Sequence, residues 1–285
     1  MKIVSFGPKG QEKPGIVHHN DVIDVCAVDP SLPPTVRGIL EAGALPRLAD
    51  IGKQADSLPA QHRKRRAGLR IGPPVTNPSK IVCIGLNYKD HAEEQNRKVP
   101  DWPLTFAKGP NVLIGDTEPI QLPHGVTQLD HEVELAAVIG SRARTVSLDD
   151  APSHVAGYSV FMDISARDVQ YREKQWFRSK SFDGFGPFGP WLTTCDEVPD
   201  PHCLDIKLDV NGTTRQSSNT GQMIFNVFFL VHYLSQSMTL EAGDIISTGT
   251  PSGVGVFATP QRFLKPGDTL KATIESLGTL TNPVV

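Results

Sequence analysis

Asp130-His131-Glu132-Val133-Glu134-Leu135-Ala136-Ala137-Val138-Ile139-Gly140 is the stretch on which the fold turns. In a strand, alternate residues share a face. Val133, Leu135, Ala137 and Ile139 then lie on one face, and Glu132, Glu134, Ala136 and Val138 on the other. The second face turns apolar after Glu134, so the pattern predicts a strand buried on both sides. Two carboxylates at the start of such a strand are costly unless something neutralises them. A hard divalent cation, Mg2+, Mn2+ or Ca2+, does this through oxygen ligands. A strand that merely begins in solvent is the competing reading.

Moving outward, Asp163 closes an apolar run, Gly157-Tyr158-Ser159-Val160-Phe161-Met162. An Asp there points to a metal, a turn or a helix cap, and Asp163 or Asp168 capping a short helix is the bland alternative. His91 and Glu94 stand three apart in a polar, helix-like stretch, 87–97. That spacing puts them on one helix face, where a carboxylate raises the basicity of an imidazole. They are a candidate general base, or a solvated polar helix. Lys180 lies among Gly and Phe in what reads as a loop, where it would stabilise an oxyanion or simply face solvent. Thr248-Gly249-Thr250-Pro251 offers backbone N–H and hydroxyl donors for a carboxylate, although tight turns use the same residues.

The rest of the chain reads as many short strands and few helices. Strands are expected at 2–6, 16–18, 22–25, 81–86, 105–108, 132–139, 155–164, 206–210, 244–247 and 270–274. Helices are expected at 36–49 and 223–234, and Asn211-Gly212 is a hairpin turn signal. Gly 25 plus Pro 24 gives 49 of 285 residues, which suits shaped loops over a helix bundle. The Pro/Gly-rich Ile71-Gly72-Pro73-Pro74 suggests a boundary between a small N-terminal α+β domain, 1–72, and a main domain, 73–285.

Composition removes several function classes. With 28 Lys+Arg against 31 Asp+Glu, the net charge of −3 argues against a nucleic-acid partner. The one basic run, His62-Arg63-Lys64-Arg65-Arg66, reads as a solvated surface. No apolar stretch approaches the ~18 residues of a membrane span. No signal sequence is evident, so the expected location is cytoplasmic. Cys26, Cys83, Cys195 and Cys203 are widely spaced and expected to be free and buried. No GxSxG motif is present, so no serine nucleophile is indicated.

Together the segments resemble the fumarylacetoacetate hydrolase family. The resemblance rests on Gly85-Leu86-Asn87-Tyr88 with Asp90-His91, on Glu132-Val133-Glu134, and on Met162 to Gln170. It continues with Lys180-Ser181-Phe182 and Gly243 to Gly255, and covers the chain from about Lys80 onward. It implies an α+β fold with a mixed β-roll catalytic domain, usually homodimeric. It implies Mg2+ or Mn2+ held by Glu132, Glu134 and Asp163, and a His91–Glu94 dyad. It further implies substrate contacts from Lys180, Gln170, Arg167, Gly249 and Thr250. The expected substrate is a 2,4-diketo acid cleaved at C3–C4 to pyruvate and a carboxylic acid. Oxaloacetate decarboxylation, or isomerisation or decarboxylation of a dienedioate, would use the same site. Trp176, Phe177, Phe182 and Phe185 either line the pocket beyond C4 or belong to the core.

Overall fold

The computed structural model describes residues 1–285. The stretch Val133–Ile139 is a strand, and every residue of it is buried. It lies between Val155–Met162, antiparallel, and Ile245–Ser247, also antiparallel. Neighbours on both edges and burial on both faces explain why the sequence there is apolar almost without interruption.

Around this centre runs a mixed sheet. Its order is Arg63–Arg65, Asp21–Asp24, Lys13–His18, Lys2–Phe6, Gly186–Thr194, Val155–Met162, Val133–Ile139, Ile245–Ser247, Ile81–Gly85 and Leu104–Lys108. Ile245–Ser247 and Ile81–Gly85 are parallel. A second, wholly antiparallel sheet has the order Thr213–Asn219, Asp205–Val210, Thr269–Ile274, Gly278–Pro283. Its Asp205–Val210 and Thr269–Ile274 strands lie against Val133–Ile139 and Val155–Met162. Residues from Ile3 to Val284 contribute to one continuous apolar core. The hairpin at Asn211-Gly212 forms as expected, with φ of 51° and 76° at the two turn residues, the left-handed pair that tight hairpins require.

Several boundaries differ from the sequence reading, each for a local reason. The expected helix at 36–49 is two helices, Val36–Glu41 and Leu45–Lys53. Gly43, at φ +61°, turns the chain between them, and Pro46 fits the first turn of the second. The helix expected from 223 starts at Val227, because the Asn226 side chain accepts from Phe229 N–H and caps it. The strand expected to reach Ile164 ends at Met162, which leaves Asp163 just beyond it. The basic run forms an edge strand, Arg63–Arg65, whose Lys64 and Arg65 are exposed. All four cysteines are free, but only Cys83 is buried. No helix is long and apolar enough to cross a membrane.

Candidate active site

Glu134 enters the site from the start of the central strand, Glu132 from the residue just before it, and Asp163 from the residue just beyond the end of its neighbour. Met162 pairs with Val133 in register, so the two strand ends coincide. Oxygens of Glu132, Glu134 and Asp163 all lie within 4.8 Å of one another, and all three residues are buried.

Three cations surround these carboxylates. Lys180 Nζ donates to Glu132 Oε2 at 2.8 Å, Asp163 Oδ2 at 2.6 Å and Ser165 Oγ at 2.7 Å. Lys108 Nζ donates to Asp163 Oδ1 at 2.5 Å. Arg167 bridges Glu132 Oε1 at 2.6 Å and Asp130 Oδ2 at 2.9 Å, and its third nitrogen donates to Gln170 Oε1 at 3.0 Å. Four carboxyl groups, counting Asp130, face three cations, which leaves one carboxyl without a cationic partner. That carboxyl is Glu134: its Oε2 accepts only neutral donors, Ser247 Oγ at 2.5 Å and Gly249 N–H at 2.9 Å.

The acidities follow from this arrangement. Burial opposes ionisation of Glu132, but Lys180 and Arg167 overcome it and hold the carboxyl far below the usual range. Burial, then repulsion from Asp163 and Glu132, pushes Glu134 up to about 8. Burial alone would lower Lys180, yet Asp163 and Glu132 more than offset it and keep the ammonium charged. Burial wins at Lys108 and lowers it despite Asp163. An oxygen-only donor set with one carboxyl left without a cation suits a hard divalent cation. Lys180 Nζ, bridging Glu132 and Asp163, already marks the place where positive charge is favoured.

His91 and Glu94 lie on the short helix Lys89–Glu94, and both belong to one unit of hydrogen bonds. His91 Nδ1 is 3.0 Å from Glu94 Oε2, and Glu94 Oε1 accepts from Gly253 N–H at 2.9 Å. His91 Nε2 is 2.8 Å from the Gln95 amide nitrogen. The network therefore assigns the proton to Nδ1 and leaves Nε2 as the acceptor. The solvated polar helix does not describe this residue: His91 is 6% exposed, edge-on to Phe257.

A cavity of about 420 Å3 connects these groups. His91, Glu132, Glu134, Arg167, Gln170, Lys180 and Thr250 line it. Asp163, Glu94 and Gly249 do not; each stands one layer behind, holding Lys180, His91 and Glu134 respectively. Lys180 is not in a loop. It ends the helix Trp176–Lys180 and is 2% exposed, with Phe106 flat beneath its ammonium. Asp163 and Asp168 cap no helix: the helix Arg167–Glu173 has Ala166 at its N-cap and no side-chain cap. Thr250 Oγ1 donates to Val133 C=O and accepts from Gln216 Nε2. Trp176 lines the cavity, while Phe185 is core and Phe177 is exposed.

Sequence reasoning overlooked four residues here. Lys108 and Asp130 act through ion pairs with partners 55 and 37 residues away. Gln216 reaches from the second sheet to Val133 N–H and to Thr250. Gln95 covers the acceptor nitrogen of His91. Only Gln95 had a local signal, as the residue four positions after His91 on the same helix face.

A sequence profile described as fumarylacetoacetate (FAA) hydrolase C-terminal matches residues 80–285. The chain belongs to that family of enzymes. It is 47% identical over 266 residues to the mitochondrial oxaloacetate tautomerase FAHD2A of Bos taurus, covering 93% of this chain and 84% of the relative. It is 45% identical over 282 residues to the 2,4-didehydro-3-deoxy-L-rhamnonate hydrolase of Sphingomonas sp. (strain SKA58), covering 98% and 94%. Among solved structures, a putative HpcE protein from Mycobacterium smegmatis superposes with a TM-score of 0.88 at 38% identity, over 100% of this chain and 99% of the other. Maleylpyruvate hydrolase from Sphingobium sp. SYK-6, in complex with manganese (II) ion and pyruvate, gives 0.82 at 30% identity, with coverage of 100% and 99%.

Proposed function

We propose that this chain is a divalent-metal-dependent hydrolase that cleaves the C3–C4 bond of a 2,4-diketo acid to pyruvate and a carboxylic acid. The observation that carries this reading is the buried His91, held by Glu94 at 3.0 Å, on the wall of the same cavity that Glu132 and Glu134 line. Mg2+ or Mn2+ would be held by Glu132, Glu134 and Asp163. The lack of any cationic partner for Glu134 and the manganese (II) in the related maleylpyruvate hydrolase support that assignment. When bound, such a cation supplies positive charge beside the 1-carboxylate and 2-oxo oxygens of the substrate.

The chain's own residues supply the proton chemistry. Glu94 fixes the His91 proton on Nδ1, so Nε2 accepts a proton from water once the Gln95 amide yields. The water oxygen bonds to C4. Lys180 has the charge to stabilise the oxyanion formed there. The C3–C4 bond breaks, its electron pair stays on C3, and the carboxylic acid leaves with C4. His91 returns its proton to C3, which completes pyruvate. Thr250, Gln170 and Arg167 border the substrate oxygens.

A second reading, keto–enol tautomerisation of oxaloacetate, is favoured by the 47% identity to a protein of that activity. There His91 would move a proton between C3 and the 2-oxo oxygen, with no water added. A pyruvate-release assay over a panel of 2,4-diketo acids with Mg2+, run beside the decay of enol-oxaloacetate absorbance, separates the two. Pyruvate release that is lost in His91→Ala is expected. Rapid oxaloacetate tautomerisation with no pyruvate from any diketo acid would overturn the hydrolase reading in favour of the second.

A further inference from the structure

A second cluster of metal-capable side chains belongs to the N-terminal segment and shares neither residue nor cavity with the first. His18 ends the strand Lys13–His18 and pairs with Asp21 across the turn His19-Asn20. Strand alternation would send adjacent histidines to opposite faces. His19 escapes it by turning left-handed, at φ +52°, and its ring comes to lie 4.2 Å from that of His18, centroid to centroid. Asp56 arrives from the turn Ala55–Ser57, 38 residues beyond His18, with Oδ1 2.8 Å from His18 Nε2. One donor atom from each of the three lies within 4.8 Å of the others.

The other acids of this segment take Lys or Arg partners: Asp21 with Arg65, Asp29 with Arg47, Asp50 with Lys53. Asp56 instead pairs with an imidazole. Its hydrogen bond to His18 holds the carboxyl below the usual range, so it stands as a carboxylate. A carboxylate only accepts, so His18 Nε2 carries the bridging proton, the one a cation would displace. Bonds of ~2.0–2.2 Å put neighbouring ligands on one ion roughly 2.8–3.6 Å apart. His18 and Asp56 already stand at the short end of that range, and the exposed His19 has room to close the rest by side-chain rotation. Two imidazoles and one carboxylate suit Zn2+, Ni2+ or Cu2+ over Mg2+, and three protein ligands leave a position for water. His18 and His19 also line a cavity of about 940 Å3 shared with Val155, Trp191 and Thr194 of the main sheet.

We infer that His18, His19 and Asp56 form a second metal site, one that takes a borderline divalent cation of the zinc class. The two sites differ in hardness: oxygen donors alone in the carboxylate cluster, nitrogen and oxygen here. An ion on these three residues fastens the hairpin tip at His18-His19 to the turn at Ala55–Ser57. It thereby ties together the two ends of the stretch that carries the helices Val36–Glu41 and Leu45–Lys53. Its role is to brace the N-terminal segment, and it holds whichever reaction the carboxylate site performs.

The test titrates Zn2+ by calorimetry into the full chain with Mg2+ saturating, so that the carboxylate cluster is occupied. One equivalent of Zn2+ per chain is expected. His19→Asn keeps the left-handed turn, which Asn adopts readily, and Asp56→Asn keeps an acceptor for His18, so both are expected to fold with an unchanged metal-free melting temperature. Each should weaken Zn2+ by at least on the order of tenfold, and the double variant should lose the equivalent, with Mg2+ affinity unchanged in all three. Co2+ in place of Zn2+ should give visible bands of low-coordinate, nitrogen-ligated cobalt that the same substitutions abolish. Absence of Zn2+ binding to the Mg2+-saturated protein overturns the site. So does a Zn2+ equivalent, or a cobalt spectrum, that persists in the folded double variant.

Discussion

Loading the carboxylate cluster with Mg2+ or Mn2+ is expected to expel a proton, and the amount follows from Glu134. Burial and two neighbouring carboxylates raise it to about 8 in the metal-free protein. A carboxyl with that pKa is ~0.9 protonated near pH 7, and it must ionise to bind a cation. Glu132, paired with Lys180 and Arg167, is already ionised and contributes no proton. About 0.9 proton per metal should therefore appear in solution near pH 7, and metal affinity should fall roughly 50-fold between ~8 and ~6, approaching tenfold per pH unit at the lower end. Above ~8 the dependence flattens. Titration calorimetry in two buffers of different ionisation enthalpy reads the proton directly. Glu134→Gln should bind more weakly and silently. Identical apparent enthalpies in both buffers for the unmodified protein, with an affinity flat from ~6 to ~8, would refute the charge count on which the site is built.

Other outcomes follow from the same geometry. In the metal-free protein, the raised pKa of Glu134 means stability is lost as pH rises from about 4.5 toward about 8, because the unfolded chain releases that proton first. The gain in melting temperature on adding saturating Mg2+ should accordingly be larger near pH ~8 than near ~6. Lys108→Met removes one partner of a fully buried ion pair, and chemical denaturation should show a loss of about 3–5 kcal/mol. His91→Ala should lower kcat about 10²- to 10⁴-fold in a pyruvate assay with metal affinity by calorimetry nearly unchanged. Gly249→Ala should weaken metal binding and lower the melting temperature. Gly249 stands at φ +98°, and a Cβ would meet Asn87 Cβ at 2.8 Å and Ile84 C=O at 2.9 Å, displacing the N–H that holds Glu134.

The central strand was legible because its signal is local. A period of two, interrupted by two glutamates, reports burial, face and a demand for cations without reference to anything distant. The His91–Glu94 spacing was legible for the same reason. What stayed hidden was whatever depended on the sheet being assembled. Nothing around Lys108 distinguishes it from a surface lysine at a strand end; its role comes from Asp163, across the site. Gln216 lies on a strand whose residues are all polar, so nothing local marks it, and only the packing of the second sheet on the first brings it to Thr250. The single long helix expected at 36–49 failed on Gly43, because apolar spacing continues through a turn that reverses the backbone. Lys180 read as a loop residue because Gly and Phe cluster after it, yet the last turn of a short helix is what aims it inward.

The carboxylate site also has a history built into it. Glu134 is held by Ser247 and Gly249, which lie 113 and 115 residues further along the chain. Thr250 reaches back 117 residues to Val133, and Gly255 reaches back 125 to Asp130. Contacts of such long sequence separation form late, after the loops between them have closed. A nascent chain that has released residues up to Asp163 already carries all three candidate ligands but none of the clamps that shape Glu134. The clamps that shape the carboxylate cluster thus close only after the intervening chain is in place, and the Mg2+ response timed against refolding would serve as a clock for closure of the sheet.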